Sequence, residues 1–235
     1  MHSLDAQSHP SEPVAFISDV HGNYAALSAV LAELDARSIN RIFCAGDVAG
    51  YYPKVNECCD ELRERGVTTV MGNHDWYLGG SGACQRSKSA NACIDYQRTV
   101  ISDSNRLWLR ALPITIDEPA FRLVHGGWED PIDEYLEPNA EYFDQLSGKL
   151  FISGHTHVAR ISNFAGKTYC NPGSVGQPRD GDPRASFAQL RDGQLSLHRV
   201  EYDIDAVAGQ MEAAGFDEHF FGGLYTGARQ LQRRQ

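Results

Sequence analysis

The chain has 235 residues, enough to bury a full core as one domain, and its 42% hydrophobic and 22% charged fractions are those of an ordinary globular protein. Twenty-one Lys and Arg against 31 Asp and Glu leave a net charge of −10, which excludes general binding to nucleic acid or anionic membrane, partners held mainly by Lys and Arg. A small phosphorylated substrate stays open, because bound divalent cations reverse the sign of the field locally.

Residues 1–13 are polar, with neither apolar core nor basic start, so no secretory leader is expected, and no apolar run is long enough to span a bilayer. The six cysteines lack C-x-x-C spacing and read as free thiols of a cytoplasmic protein, not as a disulfide framework or zinc site. Residues 14–18 form a short β-prone run that stops at Asp19. Leu27, Val30, Leu31 and Leu34 then recur at helical spacing, predicting a helix over 23–36 with Asn23 as N-cap. The cycle repeats with a strand over 41–45 ending at Gly46-Asp47, a helix over 54–65, and a strand over 67–71 ending at Gly72-Asn73-His74-Asp75. This succession predicts parallel βαβ units with functional side chains at the carboxyl ends of the strands. Residues 79–112 open with Gly79-Gly80-Ser81-Gly82 and run polar and helix-compatible through Leu107-Trp108-Leu109. They read as an inserted helical segment, either a wall beside the site or a packing hairpin with no view of it.

From residue 114 the pattern turns to short strands, over 114–117, 121–124, 150–153, 167–170, 186–190 and 195–200, with turn chemistry at Arg191-Asp192-Gly193-Gln194. Residues 203–214 predict a closing helix, and a tail follows from residue 215. The expected fold class is α/β: a four-layer α/β/β/α sandwich of two mixed sheets flanked by helices. Its domain runs over 14–200, with the helix and tail of 201–235 packed on it.

Five clusters of side chains able to ligate a metal fall where these strands should end: Asp19-Val20-His21, Gly46-Asp47, Gly72-Asn73-His74-Asp75, Val124-His125-Gly126 and Gly154-His155-Thr156-His157. A lone histidine in such a loop serves equally well to cap backbone groups. Here five of the nine histidines lie in the clusters, three beside a glycine, where backbone can approach a ligand closely; packing has no use for that pattern. His2, His9, His198 and His219 lie outside it and read as ordinary residues. Nitrogen and oxygen donors without thiolate suit Mn, Fe, Zn or Co over Ca or Mg.

In its ordered set D-x-H, G-D, G-N-H-D, H-G and G-H-T-H, the chain resembles the calcineurin-like metallophosphoesterase superfamily, which hydrolyses phosphate esters with two metal ions. The resemblance implies that Asp47 bridges both ions, that Asp19, His21 and His157 complete one site, and that Asn73, His125 and His155 complete the other. It implies two divalent transition-metal ions as cofactors, Mn foremost, with Fe, Zn, Co or Ni as alternatives. Two cations about 3.5–4 Å apart clamp phosphoryl oxygens and supply a hydroxide nucleophile near neutral pH. By the same resemblance His74 is no ligand but the general acid that assists the leaving group, a task suited to imidazole. The alternative is that it braces Asn73 through loop hydrogen bonds.

Phosphoprotein phosphatases of the superfamily carry G-D-x-x-D-R-G, whose second aspartate orients the general acid and whose arginine grips phosphate. Gly50 and Tyr51 stand at those places here, which argues against a protein phosphatase and against a symmetrical dinucleoside tetraphosphatase of that subgroup. Gly46 to Pro53 and the run Asn171-Pro172-Gly173-Ser174-Val175-Gly176-Gln177-Pro178-Arg179 are more similar to the compact prokaryotic phosphodiesterase branch. Tyr51, Trp76, Trp128 and Arg179 either line a substrate pocket, by stacking and by reaching phosphate, or serve as core and rim. The glycines of 171–176 form either an anion nest or, as the favoured reading, a tight turn bracing the metal loops. The leading expectation is a phosphodiesterase acting on a small phosphate ester. The alternatives are a phosphomonoesterase on nucleotides or phosphosugars, and a non-catalytic module like the retromer subunit that shares this fold. Oligomeric state is not legible.

Overall fold

The computed structural model describes residues 12–80 and 82–228; the first eleven residues with His2 and His9, Ser81 of the glycine run, and 229–235 of the tail lie outside the described residues. Strand β1 (Val14–Ile17) pairs in parallel with β2 (Arg41–Cys44), and β2 with the two-residue β3 (Thr68–Thr69). On its other side β1 meets β9 (Ala185–Arg191) antiparallel, and β9 carries β10 (Gln194–Val200), giving the order β10-β9-β1-β2-β3. The second sheet runs β4 (Thr115–Asp117), β5 (Arg122–Val124), β6 (Leu150–Ile152), β8 (Lys167–Asn171) and β7 (Arg160–Phe164), with β5, β6 and β8 mutually parallel.

Alternation along β1 sorts its side chains onto two faces, as a period of two requires. Val14 and Phe16 join Phe43, Phe121, Leu123, Leu150 and Ile152 in the core between the sheets. There Phe121 meets both Phe16 and Phe43 edge-on at 4.8 Å between ring centroids, a favoured aromatic geometry. Ala15 and Ile17 face the opposite way, into a core with α1 (Tyr24–Ala36) and α2 (Val55–Glu64). Asn23 caps α1 by accepting from the Ala26 amide at 3.1 Å, and Asp203 caps α7 (Ile204–Ala213) through the Ala206 amide at 2.9 Å.

The far layer is thin. Phe151 and Tyr169 on the outer face of the second sheet are covered by Leu136 and by Phe143 of the five-residue α6 (Ala140–Asp144). The insertion expected over 79–112 is helical: its α4 (Lys88–Val100) and α5 (Asp103–Arg110) both pack on α3 (Asn73–Gly79), which precedes it. Helix α7, the short α8 (Glu218–Phe221) and a 3-10 turn (Gly222–Tyr225) share a core with Tyr51, Tyr52, Ala90 and Cys93.

Several elements differ from the sequence reading, among them α8 and the 3-10 turn where only a tail was expected. The strand expected over 67–71 is only Thr68–Thr69, and Asn73 opens α3, so this candidate ligand sits on a helix N-terminus instead of in a loop. Strand β7 has no apolar run in its sequence; it is an edge strand, reached from β8 through Ala165 and Gly166 at positive φ. Helix α6 is too short to leave a periodic signal.

Candidate metal centre

The carboxyl ends of β1, β2, β3, β5 and β6 deliver the five clusters to one place between the sheets. Asp19, His21, Asp47, His155 and His157 all take left-handed backbone, with φ between 55° and 67°. Asp and His tolerate that region better than most residues, but it costs on the order of 1 kcal/mol or more and gathers at functional sites. The same residues are buried, as are Asn73, His74 and His125.

Two triads result. In the first, His21 Nε2 and His157 Nε2 lie 3.0 Å apart, with Asp19 Oδ1 at 3.2 Å from His157 Nε2 and 3.8 Å from His21 Nε2. In the second, His125 Nε2 lies 3.0 Å from Asn73 Oδ1 and 3.1 Å from His155 Nδ1. Asp47 Oδ2 stands between them, 3.8 Å from His21 Nε2 and 3.4 Å from His125 Nε2. Asp19 Oδ1 has no hydrogen-bond partner although it is buried.

The tautomers follow from the backbone. His21 Nδ1 meets Ala49 O at 2.9 Å, His125 Nδ1 meets Ala45 O at 2.7 Å, and His157 Nδ1 meets Gln177 O at 2.6 Å. A carbonyl only accepts, so each Nδ1 carries a proton, and each Nε2 presents a lone pair inward whenever its ring is neutral. Lone pairs facing each other at 3.0 Å without a cation repel. That separation matches neighbouring ligands on one ion, about 3 Å apart when metal–nitrogen bonds are near 2.1 Å. The donor set therefore fits divalent metal: Asp19, His21 and His157 form one possible ligand group, Asp47, His125 and His155 a second, and His21, Asp47 and His74 a third between them.

Without metal the charges settle unevenly. Burial pushes Asp47 up, yet His125, His74 and His21 hold it well below the usual carboxylate range. His125 goes the other way: burial lowers it, but Asp47 wins and raises it to about 10. His21 is depressed by burial, and His155 by burial and by the charge of His125, so both stay neutral.

Asp75, the last residue of the G-N-H-D run, belongs to this site although the sequence reading gave it no role. Its carboxylate accepts from the amides of Asp47 at 2.8 Å, Gly72 at 3.0 Å and Ala49 at 2.9 Å, fixing the loop that carries Asp47. Its signal was its place three residues after the N-cap of α3, where an acidic side chain bonds back to free amides. Gln97 of α4 does similar work on the next turn, accepting from Gly50 N at 2.9 Å and donating to Tyr52 O at 2.6 Å.

His74 donates its backbone amide to Asp47 Oδ1 at 2.8 Å, while its ring stands beside His21 at 4.8 Å and Tyr51 at 5.1 Å between centroids. Its Nδ1 is buried without a partner. No side chain could orient it from position 50, since a Cβ on Gly50 would lie 2.1 Å from His21 Nδ1 and 3.0 Å from His74 Nδ1. Burial pushes His74 down to about 4.

Of the candidate substrate contacts, Tyr51 and Arg179 reach the centre. Tyr51 packs on His21 and His74, and Arg179 lies over its ring at 5.6 Å while Nη2 donates to Tyr51 Oη at 3.2 Å. Arg179 Nε is buried without a partner. Trp128 is not brought to the site: its ring packs edge-on against Phe143 and Phe151, on the outer face of the second sheet, because the chain turns away after Gly126. Trp76 lies on the surface, 54% exposed. The 171–176 run offers no anion nest. The amides of Val175 and Gly176 donate to Ser18 O and Asp19 O, and Ser174 Oγ donates to Asp19 O, so the run braces the Asp19 loop.

Residues 13–192 match the calcineurin-like phosphoesterase superfamily domain. An uncharacterised protein of Methanocaldococcus jannaschii is 36% identical over 216 residues, covering 81% of this chain and 88% of the relative. A symmetrical bis(5'-nucleosyl)-tetraphosphatase of Neisseria gonorrhoeae is 29% identical over 149 residues, 58% of this chain and 51% of that one. Among solved structures, a metallophosphoesterase from Sphaerobacter thermophilus superposes with a TM-score of 0.81 at 32% identity, over 93% of this chain and all of the other. A hypothetical protein from Pyrococcus horikoshii shares the fold, with a TM-score of 0.81 at 20% identity over 92% of this chain and 99% of that one.

Proposed function

Because the chain belongs to the calcineurin-like phosphoesterase superfamily and is a metal-dependent phosphoric ester hydrolase, we propose that it is a dinuclear phosphodiesterase acting on a small phosphate ester. The observation that carries this reading is the pair of nitrogen- and oxygen-donor triads with Asp47 Oδ2 standing between them. Asp19, His21, His157 and Asp47 hold one ion, and Asn73, His125, His155 and Asp47 hold the other. Manganese is the first candidate, with Fe, Zn, Co and Ni as alternatives. Bound there, the ions supply Lewis-acid polarisation of the phosphoryl group and activation of the attacking water.

The chain's own residues do the rest. Asp75 keeps Asp47 in register through three backbone bonds. Arg179, with a buried and unspent Nε, binds a non-bridging phosphoryl oxygen. Tyr51 walls the pocket and aligns that guanidinium. His74 delivers the proton to the departing oxygen; burial depresses it to about 4, and the negative charge of a bound phosphoryl group opposes that shift. One guanidinium at this end, with Gly50 and Tyr51 in place of a further acid and arginine, suits a singly charged diester over a doubly charged monoester.

Residues 14–200 form the catalytic unit of this proposal and the following helices its buttress. All six cysteines are free thiols, and among the described residues no helix is long and apolar enough to cross a membrane. A cytoplasmic location agrees with both. The test is an activity screen of metal-reconstituted protein on matched diester, monoester and nucleotide panels. Faster turnover of diesters supports the proposal; turnover of monoesters alone moves the assignment to a phosphomonoesterase, and none at all removes catalysis.

A further inference from the structure

Three imidazoles of the centre are anchored from behind by backbone: Ala49 O holds His21, Ala45 O holds His125 and Gln177 O holds His157. His155 is the exception. Its Nδ1 faces His125 Nε2 at 3.1 Å, so Nε2 is its rear atom, and that atom is buried without a hydrogen-bond partner. A carboxylate stands behind it, with Asp133 Oδ1 at 3.6 Å from His155 Nε2. The gap exceeds a hydrogen bond by less than about 1 Å, within reach of a side-chain rotation at Asp133, which is 28% exposed.

Arg86 places that carboxylate. From the helical insertion it binds Asp133 Oδ1 at 2.7 Å through Nη1, and its guanidinium lies 5.0 Å over the ring of Tyr135. Tyr135 in turn packs on His155 at 4.0 Å between centroids. One arginine thus grips both residues that flank the His155 ring. Their loop is tied back to the centre, since Pro131 O accepts from the amides of His125 and Gly126 at 3.1 and 2.8 Å.

We propose that Asp133 is a positioning residue of the metal centre, the carboxylate that accepts a hydrogen bond from His155 Nε2–H, and that Arg86 makes the insertion part of that centre. A rear carboxylate fixes the ring and raises its basicity, and losing such a partner weakens metal binding by roughly 10–100-fold. The inference rests on the proposed dinuclear reading. The insertion then serves as more than a packing hairpin: it sets the affinity of the site built on His125 and His155.

The test is direct titration of chelator-stripped full-length protein with Mn and with Co, for wild type, Asp133→Ala, Asp133→Glu and Arg86→Ala. Wild type takes up two ions. In Asp133→Ala one of them binds roughly 10–100-fold more weakly and the Co absorption spectrum of that site changes. The other constant and the metal-free melting temperature stay unchanged. Arg86→Ala weakens the same ion by less, and Asp133→Glu restores part of the loss. If Asp133→Ala leaves both constants and the Co spectrum unaltered, the inference is overturned. Equal weakening of both ions with a fall in metal-free stability also overturns it, in favour of a plain folding role. Wild-type protein that binds no ion instead defeats the dinuclear reading beneath it.

Discussion

Gly72 separates the packing of the Asp47 loop from ordinary backbone preference. Its φ is −98°, a region open to any residue, so Gly72→Ala imposes no conformational strain. The added methyl meets a wall, however: a Cβ there lies 2.1 Å from Asp47 Oδ1 and 2.4 Å from Asp47 N. One of these contacts is backbone, so the loop has to move by about 1 Å to reach ordinary packing distance, an overpacking cost of about 1–3 kcal/mol. The movement strains the amides that Asp75 receives from Asp47 and Ala49. For a chain of this size the melting temperature should fall by roughly 2–12 °C, and tight metal binding should be lost with it, because the proposed bridging carboxylate is displaced. Gly209→Ala is the control: Gly209 lies in α7 with nothing within 4 Å of its would-be Cβ, and alanine there should stabilise by about 0.5–1 kcal/mol. Differential scanning calorimetry and metal analysis of both variants decide the matter. A Gly72→Ala protein with wild-type melting and two tightly held ions would refute the reasoning.

Asp47→Asn should impair both ions together, because Oδ2 lies between the two triads; a variant that keeps two equivalents and normal turnover removes the bridge. His74→Ala should retain its metals while kcat falls by roughly 10²–10⁴ on a poor leaving group, and by much less on nitrophenolate esters, which need no proton to depart. Loss of metal in proportion to rate would make His74 a ligand or brace instead. Metal uptake should also expel a proton. His125 is raised to about 10 in the metal-free protein, so between pH 7 and 9 it is protonated and must deprotonate to bind, and apparent affinity should rise by up to about tenfold per pH unit. Calorimetry in two buffers of different ionisation enthalpy measures that proton, and metal binding with no proton released contradicts the assignment.

The candidate site was legible in the sequence because its proposed ligands are local to strand ends. Residues such as Asp19 and His21, or His155 and His157, sit in short loops whose spacing survives in one dimension. Apolar runs and caps likewise placed α1 and α7 to within a residue or two, since Asn23 and Asp203 act on amides three residues ahead. What could not be read were contacts between distant segments. Arg86 and Asp133 are two ordinary surface-type charges far apart in sequence, and only the fold puts them behind His155. Trp128 presented the same aromatic bulk as Tyr51, yet its ring turns to the outer face of the second sheet. Strand β7 was hidden because an edge strand needs no apolar face to form its ladder.

Anomalous-scattering diffraction from crystals soaked in manganese tests the central claim most directly. Two peaks are expected on either side of the Asp47 carboxylate, one among Asp19, His21 and His157 and the other among Asn73, His125 and His155. A single peak, peaks elsewhere, or none at saturating metal would contradict it.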